Sequence, residues 1–441
     1  MAFFEVMDDF ERRERGLGPA NVRVVERTHT IPSLGAERGA ASAVGSTVGA
    51  MSTTVVRAEK MAAGGDAIAR LADGRVAFVR GALPGELVEI DVVQAKKDFV
   101  RGEVLRVIEP SAQRVEPPCP AHAAGCGGCP WQHVEPGAQL ELKAAVVIEA
   151  LKRTGKIADP VVEIGSSVPA WAYRTTLRLA VGGGGRLGLR SRSSHDVIEL
   201  EACPVSHPLL NELLAALRVR GVGEASLRVG AATGERSVWV AEGDVDVYGL
   251  PDGVEVGAEA AIHEVVGGKR LRISAPSFFQ SGPAAAELLV EAVRTACRDL
   301  GDIDSLVDAY GGVGLFATAV EATKTTVIEA SPSACADAAF NLAGRPAKIH
   351  CSTVERWTPR RADLVIADPS RSGLGKKAVE VLGATNAPRI VLVSCDPVSL
   401  ARDAGLLREA GYDHATSTVY DLFPQTHHVE VVTTFRLRST P

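Results

Sequence analysis

Apolar and polar positions follow different rhythms along this 441-residue chain. From Ser274 onward, runs of β-forming apolar residues give way to amphipathic stretches of helical period. A helix predicted over 284–300 leads to a strand at Ser305–Tyr310, which runs into Gly311-Gly312-Val313-Gly314 and a helix over 315–321. Strands follow at Thr325–Ile328, 347–351 and Leu364–Ala367, with a helix over 333–343 between the first two. The apolar run Arg389–Val393 passes through Ser394-Cys395-Asp396-Pro397 into a helix over 398–410, and β segments close the chain near 412–420 and 429–437. Such strand–helix alternation predicts a doubly wound α/β sheet.

Upstream the pattern changes. Short strands separated by turns are predicted at 75–79, Leu87–Val93 and Phe99–Ile108, and five or so strands between 52 and 110 suggest a small barrel of the OB type. A helix over 139–152 has Leu140, Leu142, Val146, Val147 and Leu151 as its apolar positions, and 161–265 alternates like strands around glycine turns, an α+β segment. The first fifty residues are rich in Gly, Ala, Ser and Thr and read as a disordered leader, with Met51 an alternative start. The expected division is a leader over 1–50, a barrel over 51–110, a central domain over 111–270 and an α/β domain over 271–441.

Composition adds bounds. Apolar residues at 46% and charged residues at 23% are ordinary for a globular protein. No run of eighteen apolar residues occurs and the N-terminus lacks a signal-peptide core, so no membrane span and a cytoplasmic location are expected. A net charge of −6 argues against a uniformly basic nucleic-acid binder. Yet five arginines (Arg174, Arg178, Arg186, Arg190 and Arg192) fall between Trp171 and His195 with no acid among them. They read either as a phosphate-contacting surface or as a solvated hairpin face.

The candidate chemistry sits at strand ends. Cys395 ends a buried parallel strand and precedes a helix, with Asp396-Pro397 as cap and first turn, where backbone N–H groups would leave some thiolate near neutral pH. The alternative is an inert half-buried cysteine. The strand–glycine turn–helix at Asp308–Gly314, with Glu329 and Asp368 at successive strand ends, forms a nucleoside-binding arrangement. It lacks the third glycine of the dinucleotide fingerprint, which favours S-adenosylmethionine over NAD. Cys119, Cys126 and Cys129 crowd together beside Gly127-Gly128, with Cys203 far downstream. Closely spaced thiolates need a metal centre; zinc and an iron–sulfur cluster compete, and the asymmetric spacing favours the cluster. Cys297, Cys335 and Cys351 read as core residues.

Taken in order, these motifs resemble the class I S-adenosylmethionine-dependent RNA uracil-C5 methyltransferases. Val79-Arg80-Gly81-Ala82-Leu83-Pro84-Gly85-Glu86 resembles the family's TRAM domain, an OB-like RNA binder. Cys119, Cys126, Cys129 and Cys203 match its four [4Fe–4S] ligands. Tyr173-Arg174 sits at a Tyr-Arg-Asn motif, with Thr175 in place of the asparagine. Phe278-Phe279-Gln280 and Asp308-Ala309-Tyr310-Gly311-Gly312-Val313-Gly314 resemble the motifs around the cofactor, and Leu315 stands where many members have Asn. Asp368-Pro369-Ser370-Arg371, Ser394-Cys395-Asp396-Pro397 and Phe423-Pro424-Gln425-Thr426-His427-His428-Val429-Glu430 resemble the three catalytic motifs.

The resemblance implies a Rossmann-like methyltransferase domain behind a TRAM barrel and a cluster-bearing central domain. It implies Cys395 as nucleophile, Glu430 as proton acceptor, Gln280, Tyr310, Glu329 and Asp368 at S-adenosylmethionine, and an RNA substrate, ribosomal rather than transfer, with its uridine flipped out of the stack. A monomer is expected. His427 and His428 read as loop structure. The rivals are a cytosine-C5 RNA methyltransferase, a non-catalytic iron–sulfur RNA-binding protein and an NAD-dependent iron–sulfur oxidoreductase. Against the first, the place where such enzymes carry a cysteine reads Asp368-Pro369-Ser370-Arg371 here.

Overall fold

The structure is a computed structural model that describes residues 21–24, 53–192 and 194–438. The predicted leader lies outside the described residues except for a strand at Asn21–Val24. The chain divides into two compact units, one spanning Val24–Arg114 and the other taking in everything from Val115 on. Residues 115–441 lie in one compact unit, on both sides of the boundary expected near residue 270.

In the first unit, Thr53–Met61, Ala67–Arg70, Val76–Arg80, Phe99–Glu109 and Leu87–Ala95 close into a five-stranded barrel in that order. Period-two alternation turns Val56, Ala58, Ala67, Ala69, Ala77, Val79, Val88 and Ile90 inward. Closure leaves no room at Gly102, where a Cβ would lie 2.7 Å from the Ile90 side chain. The turn after Arg80 is held by Glu86, which is fully buried, accepts from the Leu83 and Ser111 amides and is forked by the Arg114 guanidinium at 2.6 and 2.7 Å. Burial pushes the Glu86 carboxyl up, but Arg114 and the two amides outweigh it and hold the carboxyl below its ordinary range.

The second unit contains two large sheets. The central segment contributes an antiparallel sheet built on the long hairpin Arg218–Val229 and Arg236–Tyr248, extended by Thr176–Val181, Leu187–Arg190 and Val197–Glu199. The other sheet has eight strands, in the order Ala347–Cys351, Lys324–Glu329, Ser305–Ala309, Leu364–Ala367, Arg389–Ser394, Glu430–Leu437, Tyr412–Asp421 and Val162–Ser167. The first five run parallel, and the inner ones, Ser305–Ala309, Leu364–Ala367 and Arg389–Ser394, are mostly apolar and buried, as strands covered on both faces must be. Glu430–Leu437 then pairs antiparallel with Arg389–Ser394.

From Ser305–Ala309 the chain winds outward through Lys324–Glu329 and Ala347–Cys351, then returns to Leu364–Ala367 on the other side. The switch point therefore falls between Ala309 and Ala367, and in open sheets of this kind the ligand crevice lies beyond the carboxyl ends of such strands. Every strand and helix predicted after Ser274 is present; Leu315–Ala319 is shorter than expected and Pro332–Asn341 begins one residue earlier.

The central segment is woven into this sheet. Val162–Ser167 is its edge strand, and the helix Pro136–Arg153 packs against the helix Pro397–Glu409 and the Tyr412–Asp421 strand. The apolar positions expected on that helix are only partly its buried face. Leu140, Val147 and Leu151 are buried, but so are Gln139 and Lys143, whereas Leu142 and Val146 are half-buried. Two polar side chains displaced two apolar ones because each has partners inside.

Candidate active site

The strand Arg389–Ser394 delivers Cys395 to the crevice, and Asp396 caps the next helix as expected, accepting from the Val398 and Ser399 amides at 3.0 and 2.7 Å. Ser394 pairs with Val431 across the antiparallel ladder, so Glu430 lies opposite Cys395. Glu430 is 4% exposed, and its Oε1 has no hydrogen-bond partner. Asp368 follows the Leu364–Ala367 strand, and the fully buried Asp308 ends none but sits inside Ser305–Ala309. Gln280 donates its amide to Asp368 at 3.4 Å.

These acids share a low-dielectric pocket. Burial, with Glu329 nearby, pushes the Asp308 carboxyl up to about 7, despite the Ala317 amide that donates to it at 2.9 Å. Burial and then Asp308 raise Asp368; burial and then Asp368 raise Glu430 well above the usual carboxylate range. A line of unneutralised carboxyls behind a crevice favours a cationic ligand.

The thiol itself corrects the sequence reading. Cys395 is half-buried, and its surroundings disfavour the thiolate that the helix N-terminus was expected to favour. Burial pushes its thiol well above the ordinary range, and Glu430 and Asp368 push it further; Arg371 pulls the other way. The helix N-terminus is outweighed by the carboxyls and desolvation. Arg371 in turn donates to the His428 ring at 2.7 Å, so the pair of histidines read as loop structure includes a partner of this arginine.

On the cofactor side, Glu329 accepts from the Gly312 amide at 2.9 Å and the Ser331 amide at 2.7 Å, which fixes it beside the glycine turn. Gly312 and Gly314 both have positive φ, of 54° and 87°, and a Cβ at Gly312 would meet nothing within 4 Å, so the turn is open toward the crevice. Tyr310, half-buried, also has a left-handed φ of 59° at the strand end. Together the open turn, the acid on the next strand and the buried carboxyls fit a nucleoside carrying a positive charge. Asp308 was missed as a separate site residue in the sequence; the signal was a lone acid inside an apolar strand.

The four spaced cysteines line one pocket, with Arg174 and Gln132 beside them. Gly127 and Gly128 are required there: a Cβ on Gly128 would lie 2.7 Å from Leu189 and one on Gly127 3.0 Å from the Arg190 carbonyl. Asn211 fixes Cys203 by accepting from its amide at 2.8 Å and donating to its carbonyl at 3.1 Å. Burial pushes the Cys129 thiol up to about 12, with Arg174 opposing. Among the described residues, no three His, Cys, Asp or Glu side chains converge on a point where a single metal ion would sit.

The arginine-rich stretch is largely consumed by the fold. Arg178 is 5% exposed and pairs with Glu224 at 2.7 Å, Arg190 reaches the same carboxylate at 2.9 Å, and Arg186 lies 3.6 Å from Glu201. Arg192 donates to the His122 carbonyl at 2.8 Å. Neither sequence reading of this stretch describes it. Of the three remaining cysteines, Cys297 and Cys335 are buried as expected, but Cys351 is exposed because its strand lies at the sheet edge.

Comparison with known proteins agrees with this picture. Residues 52–105 match the sequence family described as the TRAM domain, and 358–436 match tRNA (Uracil-5-)-methyltransferase. An uncharacterized RNA methyltransferase of Streptomyces avermitilis is 37% identical over 84% of this chain and 95% of its own length. The 23S rRNA (uracil(1939)-C(5))-methyltransferase of Pectobacterium atrosepticum is 30% identical over 82% of this chain and 89% of its own. The crystal structure of Pyrococcus abyssi tRNA (uracil-54, C5)-methyltransferase in complex with S-adenosyl-L-homocysteine shares the fold, with a TM-score of 0.65 over 87% of this chain and all of that one, at 24% identity. With a TRAM barrel, a class I methyltransferase sheet and relatives of this likeness over most of both chains, the chain belongs to the S-adenosylmethionine-dependent RNA uracil-C5 methyltransferase family.

Proposed function

We propose that the protein methylates C5 of one uridine in ribosomal RNA through a transient bond between Cys395 and the pyrimidine. The observation that carries this reading is the register that sets Glu430 across from Cys395, both facing Asp368 at the switch-point crevice. Carbon 5 of uracil is a weak nucleophile. Addition of the Cys395 sulfur to C6 makes the ring an enolate, rich at C5. S-adenosylmethionine, when bound, would supply the sulfonium methyl to C5, its S–CH3 bond breaking to leave neutral S-adenosylhomocysteine. Glu430 then removes the C5 proton, the C5–C6 double bond re-forms and the thiolate leaves.

Each neighbour has a task in this scheme. Arg371 favours the thiolate, opposing the carboxyls. Glu329 holds the ribose hydroxyls, Tyr310 and the glycine turn line the nucleoside, and Asp308 and Asp368 face its positive charge. Gln280 bridges Asp368 to the uracil edge. The uridine must leave its stack to reach Cys395, which suits a loop of RNA rather than a helix. Nucleophile, base and cofactor acids come from one chain, which suits a monomer. Ribosomal RNA is favoured because the Pectobacterium relative is named for it at 30% identity; transfer RNA is the alternative, from the name of the family matched at 358–436.

The Cys119, Cys126, Cys129 and Cys203 pocket fits a [4Fe–4S] cluster better than zinc. Four thiols line it, the ligand number a four-iron cube takes, and their spacing along the chain, one triplet and a distant single, is unlike the paired couples of structural zinc sites. A four-iron cube holds its thiolates farther apart than one zinc ion with ~2.3 Å bonds does. Its place, lined by Leu177 and Leu189 of the central strands and by Leu200 and Val205, is that of a staple for the fold.

Mapping 5-methyluridine by mass spectrometry in ribosomal and transfer RNA of a deletion strain tests the whole reading. One ribosomal uridine should lose its methyl group and regain it with the wild-type gene but not with Cys395→Ala. Loss at a cytidine, or full complementation by Cys395→Ala, would overturn it.

A further inference from the structure

Glu430 begins its strand directly after a loop, 422–429, that joins it to the neighbouring antiparallel strand ending at Asp421. Inside that loop Gln425 has a φ of 70°, a left-handed conformation that strains a non-glycine residue. Such a residue persists only where its surroundings over-determine it. Here they do: the Gln139 side-chain oxygen accepts from the Gln425 amide at 2.7 Å, and the Trp131 amide donates to the Gln425 carbonyl at 2.9 Å. The Gln139 amide also donates to the Gln425 side-chain oxygen at 3.3 Å and to the Val134 carbonyl at 3.0 Å.

One helical turn on, Lys143 is 1% exposed and lies 2.6 Å from Asp421, itself 1% exposed, while donating to the Phe423 carbonyl at 3.3 Å. A dry ion pair of this kind is weak evidence for stability, since an apolar pair of equal volume is often as stable. Gln139 and Lys143 stand on the same face of Pro136–Arg153, spaced four residues apart, and together they hold both ends of the loop.

We propose that Gln139 and Lys143 are positioning residues for the catalytic step: by pinning Gln425 in its strained conformation and the loop start at Asp421, they aim the Glu430 carboxyl at Cys395. This inference rests on Glu430 being the proton acceptor. Displacing the base leaves addition of Cys395 and methyl uptake intact. It slows removal of the C5 proton, and hence re-formation of the C5–C6 double bond and departure of the sulfur. The enzyme should then wait as its covalent RNA adduct.

The test compares wild type, Gln139→Met, Gln139→Met with Gln425→Gly, and Glu430→Gln, each as the full chain. The substrates are labelled S-adenosylmethionine and total RNA from a strain lacking the gene. For Gln139→Met, turnover is expected to fall by about 100-fold, the loss that a 1 Å misplacement brings. S-adenosylhomocysteine affinity should stay unchanged, and an RNA adduct should build up on denaturing gels. Glycine takes the left-handed conformation without strain, so Gln425→Gly should restore most of the turnover and dissolve the adduct. Should Gln139→Met fail to fold, Gln139→Asn, which stays polar but withdraws the side-chain oxygen from the Gln425 amide by one methylene, provides the same reading.

Lost turnover without adduct, or no rescue by glycine, would overturn the proposal. If Glu430→Gln accumulates adduct and Gln139→Met does not, the clamp falls and the base stands. If neither does, the base assignment falls and takes the clamp with it.

Discussion

The molecule buries cysteine in two ways, and the contrast is instructive. In the pocket of Cys119, Cys126, Cys129 and Cys203 the thiols face one another, with Arg174 as the nearby cation. In the crevice a single thiol, Cys395, faces three carboxyls, of Glu430, Asp368 and Asp396, and one guanidinium. Desolvation raises thiols in both places, but the remedies differ. Four mutually repelling sulfurs are suited to a permanent shared cation, and so to a structural centre. One sulfur beside acids is suited to a charge that arrives and leaves, and so to catalysis gated by bound ligand.

The sharpest way to break this contrast is to remove each sulfur. Cys395→Ala should abolish methyl transfer to RNA while S-adenosylhomocysteine still binds by calorimetry and the thermal midpoint barely moves. Cys203→Ser should do the converse, removing iron and acid-labile sulfide from anaerobically purified protein and lowering the midpoint. If Cys203→Ser retained full iron content, the pocket would not be a cluster site.

The next largest effect concerns the base. Glu430→Gln should lower turnover by about 10²–10⁴-fold, the range for losing a general base, and leave adduct formation itself nearly intact. A smaller effect follows from the thiol's environment. Because burial and the carboxyls hold the Cys395 thiol above its ordinary range, the rate of adduct formation should climb with pH by up to about tenfold per unit above neutrality. Arg371→Gln should depress it further at neutral pH. A rate flat between pH 7 and pH 9 would show that the thiolate is already formed.

The smallest effect is on stability. Asp308 holds its proton up to about 7 in the folded protein against 3.8 for an ordinary aspartate. The native state therefore binds this proton more tightly, and the group's contribution falls as pH rises through that window. Asp308→Asn should raise the thermal midpoint at pH 8 by a few degrees, leave it unchanged at pH 4 and weaken S-adenosylhomocysteine binding. Equal shifts at both pH values would contradict the buried-carboxyl account.

How much of this was written in the chain depends on distance along it. The Arg389–Ser394 strand, the Asp396 cap and the glycine turn are local patterns with strong physical signatures, and their elements are where the residues indicate. The thiol's protonation was not legible, because its cause is Glu430 on a strand reached only through the sheet register. The same holds for Lys143 and Gln139, which read as the polar face of a helix until Asp421 and Gln425 are folded against them. The arginines between Trp171 and His195 misled for the same reason. Their partners, Glu224 above all, lie on another strand of the hairpin sheet.

The account depends on sulfur from Cys395 joining the pyrimidine. Peptide mass mapping of the Glu430→Gln protein, after incubation with RNA from the deletion strain and S-adenosylmethionine, measures this directly. The peptide carrying Cys395 should gain the mass of a methylated uridine nucleotide after nuclease digestion. No such addition, or one carried by a different cysteine, would contradict the assignment.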